Sequence, residues 1–449
     1  LGVDTVGLPG AVTSGPLGTG LITTQSGNPV VFQPVGGDRT IANDWFFVNA
    51  IFVGSTASAP LVDTTPHNLT LTGNVTLGAT GRILTNNLPA GVALNFGADT
   101  ASTSTLTLSS PLTFQTQTNV AGTDGGGKAV INDAIVNGAG NGAITVQNSA
   151  IVVMNNANNS YGGVTTITGT GGTGTAPVPP NPTLLVMGAK TGTGNVVINT
   201  RCNSTTSTDV ACTAATADPT KPLRGVGLLG GTGSIAGNVT NNGIIAPGAV
   251  AGTPGTLTFT GNITDGSTAA PVATASHWAI DISGAAADKL AVTGNIDLSA
   301  VDNLDITRTG SGTSWVIATY TGTRTGQFDS VTPGYSVDYG TGSNSQITVT
   351  AVPIGVPGDY NNNGVVDAAD YVVWRSLNGT NATLPNEVSG TTPGQVTQED
   401  YTAWKARFGN TSSSGSSLGA KAQVPEPTSL MLLALGSVLA LTRFGRVSK

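Results

Sequence analysis

The chain reads as an all-β protein: an elongated parallel β-helix, or solenoid, followed by a small α-helical module and a short apolar tail. Three observations predict this. The first is a strand phrase used repeatedly, at Leu257-Thr-Phe-Thr-Gly-Asn-Ile-Thr-Asp265, Leu69-Thr-Leu-Thr-Gly-Asn-Val-Thr-Leu77 and Leu290-Ala-Val-Thr-Gly-Asn-Ile-Asp-Leu298, with echoes at Gly194-Asn-Val196 and Gly237-Asn-Val239. Its alternation puts Leu257, Phe259, Gly261 and Ile263 on one face and Thr258, Thr260, Asn262 and Thr264 on the other, the period of a half-buried strand. Such a strand cannot bury its apolar face alone, so irregular copies separated by Gly/Asn turns point to stacked coils around one core. The second is composition. Charged residues make up 9% of the 449, against roughly 25% in soluble domains, so the polar surface must consist of hydroxyls and amides. The third is the absence of both a helical period in the body and clean two-residue hairpin turns, which favours a solenoid over an antiparallel sandwich.

Length and charge narrow the classes. A chain of 449 residues exceeds one compact core unless its body is elongated. A formal charge of −7 and a pI near 4.7 provide no basic field for phosphates, which excludes nucleic acid as a partner. The two cysteines, Cys202 and Cys212, flank a Ser/Thr/Asp segment without histidine, so metal binding there is not expected. A disulfide closing a surface loop is favoured over free thiols, because the rest of the chain has an extracytoplasmic character. The sequence opens at Leu1 without a basic or apolar leader, and a secretory signal is expected to have been removed or to lie outside it.

Residues 1–65 are rich in Gly, Pro and Thr and are expected to form an N-terminal cap or atypical coils around the apolar knot Trp45-Phe-Phe-Val48 and Ile51-Phe-Val53. Residues 66–350 form the β-helix. Its strands are legible at Ala143–Val146, Ala150–Met154, Val164–Ile167, Leu184–Met187 and Asn195–Ile198. The asparagine run 155–160 fits an amide ladder at a coil corner or a simple loop equally well. Gly169 to Pro182 and Thr200 to Leu223 read as extruded loops. The pattern continues in Trp278–Ile282, Leu304–Ile306, Trp315–Ile317 and Gln346–Val349, and residues 351–357 make a stiff proline-bearing linker.

Within this body, Asn159-Ser-Tyr-Gly-Gly-Val-Thr-Thr-Ile167, Thr183-Leu-Leu-Val-Met-Gly188, Gly230-Gly-Thr-Gly-Ser-Ile-Ala-Gly-Asn-Val239, Ala246-Pro-Gly248 and Pro254-Gly-Thr-Leu257 resemble the autotransporter-associated β-strand repeat. The resemblance covers about 155–265 and departs from the pattern at both insertions. It implies a right-handed parallel β-helix in a large surface or secreted protein with a structural or adhesive role.

The composition changes at residue 358; no glutamate precedes Glu387. In Gly358-Asp-Tyr-Asn-Asn-Asn-Gly-Val-Val-Asp-Ala-Ala-Asp-Tyr371, Asp359, Asn361 and Asn363 occupy positions 1, 3 and 5 of a calcium loop. Gly364 supplies the turn at 6, Val365 a carbonyl at 7, and Asp367 and Asp370 stand at 9 and 12. Hard oxygen ligands suit a hard cation, and one Ca²⁺ is expected. Thirty residues on, Gly394, Val396, Asp400, Tyr401, Trp404 and Lys405 repeat Gly364, Val366, Asp370, Tyr371, Trp374 and Arg375. The second loop holds Ser389, Thr391 and Pro393 at positions 1, 3 and 5, too few oxygen donors for a second ion. This duplicated loop–helix module, 358–410, resembles a type I dockerin, which implies docking on a cohesin-like domain through helices bearing Tyr371, Trp374, Tyr401, Trp404 and Phe408. A purely structural calcium clip is the alternative.

Residues 411–423 are a Ser/Gly linker, and 424–449 combine Pro425-Glu426-Pro427, the apolar run Leu430–Leu441, and Arg443, Arg446 and Lys449. About a dozen apolar residues fall short of the ~20 that span a bilayer, which suits a processing signal better than a permanent anchor. The segment resembles the PEP-CTERM sorting tail, implying recognition by an exosortase and transient membrane retention at the cell envelope, with surface or matrix polysaccharide as a further partner.

The rival reading is a polysaccharide lyase or glycosidase on a β-helix scaffold. Sugar acid/base chemistry needs paired carboxylates at fixed separation. The body offers only His67, His277 and the cluster Asp281/Asp288, which an exposed turn between strands explains, so no catalytic residue is assigned.

Overall fold

A computed structural model of the chain describes residues 1–9, 11–25, 30–55, 62–63, 65–116, 127–169, 181–202, 210–211, 226–249, 252–266, 276–352, 355–387, 392 and 394–411. It divides into two units, 1–352 and 353–449. The Pro-Glu-Pro tail, Cys212, the Cys202 side chain, and Ser389, Thr391 and Pro393 lie outside the described residues.

In the first unit, short strands repeat in three directions and stack in parallel ladders, the arrangement of a β-solenoid. One face is an eleven-stranded sheet running from Val30–Phe32 to Arg324–Gly326. A second is a twelve-stranded sheet running from Arg39–Ile41 to Ser330–Val331, with Ala286–Ala287 paired antiparallel beside its path. The third face is built from a five-stranded sheet from Ile22–Thr24 to Ala134–Asn137 and a seven-stranded one that begins at Ala189–Lys190. Parallel register holds almost everywhere because each strand's inward set is apolar, and a one-residue slip would turn that set outward. On the first face Leu84, Phe114, Val146, Ile167 and Ile198 stack in register and are all buried. The outward residues beside them, Thr113, Thr145, Thr166, Val197, Thr240 and Thr264, form a column dominated by hydroxyls.

The recurring phrase is not one strand. Thr256–Phe259 belongs to the third face and Ile263–Asp265 to the first, with Gly261-Asn262 turning the corner between them. The same phrase at 69–77 turns a different corner, from the second face to the third. Alternation survives the bend, so Leu257, Phe259 and Ile263 are all buried. Measured along the first face, coil length varies from 21 residues, between partners Val146 and Ile167, to 43, between Ile198 and Asn241. This spread arises at one corner. The connections 55–68, 116–127, 169–182, 200–227 and 266–275, each ten residues or longer, all join the first face to the second, while the other two corners turn within eight residues.

The asparagine run is an amide ladder. Asn155 Nδ2 donates to Asn132 Oδ1 at 2.8 Å, Asn156 Nδ2 to the Asn132 carbonyl at 2.7 Å, and Asn159 Oδ1 accepts the Ile135 N–H at 3.1 Å. The knot at Trp45 is an aromatic pile, with Trp45 packed edge-on against Phe32 and Phe47 at 5.1 and 5.8 Å; Ile22–Thr24 pairs beyond it. At the other end of the ladder, Ser345–Ala351 pairs antiparallel with Ser314–Tyr320 and Tyr335–Asp338, which the parallel pattern did not foresee. An antiparallel partner ends the stacking by occupying the hydrogen bonds that a further coil would take.

Candidate metal centre

The described residues of the second unit include two helices, α1 (Ala368–Leu377) and α2 (Gln398–Arg407). The loop before α1 closes on itself because its carboxylates and amides collect backbone donors. Asp359 accepts the Asn363 N–H at 3.0 Å through one oxygen and the Gly364 N–H at 2.6 Å through the other. Asn361 Oδ1 accepts from Asn363 N–H at 3.0 Å and Asn363 Oδ1 from Val365 N–H at 2.9 Å. Asn362 and Gly364, with φ of +57° and +88°, supply the left-handed conformation that doubles the chain back.

Asp370 reaches back into this loop, accepting the Asn361 N–H at 3.0 Å and the Asp367 N–H at 2.7 Å. Asp367 accepts the Ala369 N–H at 2.7 Å, so Asp367 and Asp370 also form the capping box of α1. The sequence reading missed this second duty, although an Asx residue followed three positions later by an acid, ahead of an apolar run, is its signature.

Asp359 and Asp370 are fully buried, and no cationic side chain pairs with either among the described residues. Burial pushes the Asp370 carboxyl above the ordinary range, and the charges of Asp359 and Asp367 push it further, against the two N–H donors that favour its ionised form. Uncompensated buried carboxylates accompanied by amide oxygens and a backbone carbonyl are a donor set that fits a hard cation. Among the described residues no three acidic, histidine or cysteine side chains converge as a metal cluster. The loop brings Asp359 and Asp370 together, and Asn361 and Asn363 lie on the chain between them.

The second copy is related to the first by reciprocal contacts. Trp374 on α1 donates its indole N–H to the Thr397 carbonyl at 2.7 Å, and Trp404 on α2 donates to the Asp367 carbonyl at 2.9 Å. Each indole therefore holds the N-cap of the other helix. Gly379 N–H donates to the Val396 carbonyl and Gly409 N–H to the Val366 carbonyl, both at 2.8 Å. The duplication is thus also a crosswise exchange, invisible in sequence because each bond joins one copy to the other. The aromatic residues proposed for docking meet at this seam, with Trp374–Tyr401 at 4.9 Å, Tyr371–Trp404 at 5.4 Å and Trp404–Phe408 at 5.4 Å between ring centres. Of the five, only Phe408 is largely exposed, at 57%.

In the first unit, Asp288 corrects the reading of Asp281 and Asp288 as an exposed turn. Asp288 is buried, accepting the Gly255 N–H at 2.7 Å and the Asp281 N–H at 2.9 Å, and burial pushes its carboxyl up to about 6. Asp281 accepts the Gly252 N–H. Both carboxylates are occupied in tying neighbouring coils together.

A family model described as the PEP-CTERM protein-sorting motif matches residues 423–447. No curated protein matches the chain. The motif marks an exported protein that exosortase-type sorting machinery recognises and that is held transiently at the membrane. No helix among the described residues is long and apolar enough to cross a membrane.

Proposed function

We propose that the chain is a cell-surface or extracellular-matrix β-solenoid with a structural or adhesive role, carrying a dockerin-like module that binds one calcium ion and serves protein docking. The observation that carries the reading is the joining, in one chain, of a long parallel ladder to a C-terminal sorting motif. A right-handed coil is the sense expected of parallel crossovers. The outward hydroxyl column and the side-chain hydrogen bond from Gln147 Nε2 to Gln115 Oε1, at 2.8 Å, are chemistry suited to hydroxyl-rich matrix polysaccharide. In the module, the side chains of Asp359, Asn361, Asn363, Asp367 and Asp370 and the Val365 carbonyl would hold the ion. Its charge would neutralise the buried carboxylates.

The enzyme reading has less support, because Asp281 and Asp288 already accept backbone N–H groups. Display is tested on protein extracted from the envelope of the producing cell. Mass spectrometry should find a C-terminus near Pro427, whereas an intact Lys449 in that material would remove the sorting step from the proposal.

A further inference from the structure

The inward column of the first face changes character at one place. After Leu84, Phe114, Val146, Ile167 and Ile198, the next two residues in register are Asn241 and Asp265, both buried. On the adjoining face Ser276 and Asp302 are register partners and are fully buried as well. Asp265 is well provided with donors: Asn241 Nδ2 at 2.9 Å on one oxygen and Trp278 Nε1 at 3.1 Å on the other. Asp302 is not. Neither of its oxygens has a donor, and the neighbouring Ser276 hydroxyl is spent on the Asn241 carbonyl at 2.7 Å. Within reach of the Asp302 carboxyl lie the Asp265 carboxyl and the Ser276 hydroxyl, whose proton the Asn241 carbonyl takes.

We infer that Asp265 and Asp302 hold a proton between them and act as a pH-sensitive latch between neighbouring coils, closed in acid and loosened as pH rises to neutrality. Two ionised carboxylates in contact inside the solenoid would repel each other without compensation, whereas a proton held between them satisfies both. Burial and the Asp302 charge push the Asp265 carboxyl well above the ordinary range, against its Asn241 and Trp278 donors, so the two carboxyls titrate as one coupled pair.

Among the described residues the surroundings supply no substitute charge. Asp297 and Asp329 add negative potential, and the Asp302 N–H donates to Asp329 at 3.0 Å. Arg324 stacks on the Tyr339 ring at 4.9 Å, and His277 pairs with Asp305 at 2.6 Å. Burial, the largest influence, pushes Asp302 up to about 7, from an ordinary value of 3.8. A carboxyl whose folded value is raised binds more protons folded than unfolded, so stability falls as pH rises from about 4 to about 7 and levels off above. Asp133 and Asp288, each raised to about 6 by burial, share the sign but finish titrating lower. The pair therefore dominates between pH 6 and 8.

The test is denaturant unfolding of the full chain at several pH values from 6 to 8, for wild type and Asp302→Asn. The amide keeps the shape and the donor of the protonated acid and cannot ionise. Wild type should lose stability over this window and level off by pH 8, its unfolding equilibrium constant rising about tenfold in all, and Asp302→Asn should abolish most of that slope. A flat wild-type profile, or a variant with the wild-type slope, overturns the latch. If the variant does not fold, infrared spectroscopy of wild type decides. A protonated carboxyl band that persists at pH 6.5 and disappears by pH 8.5 supports the shared proton, and its absence at pH 6.5 overturns it.

Discussion

Gly261 leaves no room for a side chain: a Cβ built there would lie 2.2 Å from the Gly237 carbonyl oxygen of the adjoining coil. Its neighbour Asn262 accepts the Asn295 N–H at 2.9 Å and donates its own N–H to Asn238 Oδ1 at 3.0 Å, and Asn295 continues the ladder to Thr323 at 2.8 Å. The Gly-Asn pair thus has two tasks, close approach of coils and satisfaction of the donors that a corner leaves unpaired. Gly261→Ala should cost about 1–3 kcal/mol through displaced backbone, and Asn262→Ala about 1 kcal/mol through the lost hydrogen bond. Thr264→Ala, on the exposed side of the same rung, should stay within about 0.5 kcal/mol. Denaturant unfolding of the three variants checks the order, and a harmless Gly261→Ala would contradict the packing argument.

At the scale of elements, the module depends on two helices that hold each other's starts. Calcium binding at the first loop would act on both, because the Asp367 carbonyl that ends the loop accepts the Trp404 indole of α2. Calorimetry on the full chain should give a stoichiometry near one for residues 358–410, and the thermal midpoint of this unit should rise with calcium, since the ion binds the folded state. Asp359→Ala should abolish most of that rise, because it removes a buried carboxylate that receives two loop N–H groups. Thr391→Ala, in the degenerate copy, should leave it nearly unchanged. Two equivalent ions, or an undiminished response in Asp359→Ala, would refute the assignment of the first loop.

For the first unit as a whole, stacking makes length a matter of strand count. Eleven parallel strands at about 4.8 Å apart occupy about 50 Å along the stacking direction, while each coil is only three short strands around. Small-angle scattering from residues 1–352 should therefore show a rod-like cross-section regime. A radius of gyration near the ~20 Å of a compact domain of that length would count against a continuous ladder. Each coil contacts only its neighbours, so stability accumulates rung by rung. The long connections all leave the ladder at one corner, between the first face and the second.

The solenoid body was legible in the order of residues because it rests on local rules. Alternation selects the buried side, and hydroxyl and amide side chains serve a surface poor in charge. The thirty-residue duplication was legible for the same reason, since its copies stand at fixed separations along the chain. The corner was not legible. A strand that bends at Gly261 keeps its two-residue period, so one phrase can serve different corners of the coil, and only the stacking of neighbours selects which. The same holds for Asp288, Asp265 and Asp302. Nothing in their immediate sequence distinguishes an exposed turn acid from a buried one, because their burial comes from neighbouring coils, as with Asn241, 24 residues before Asp265, and Gly255, 33 residues before Asp288.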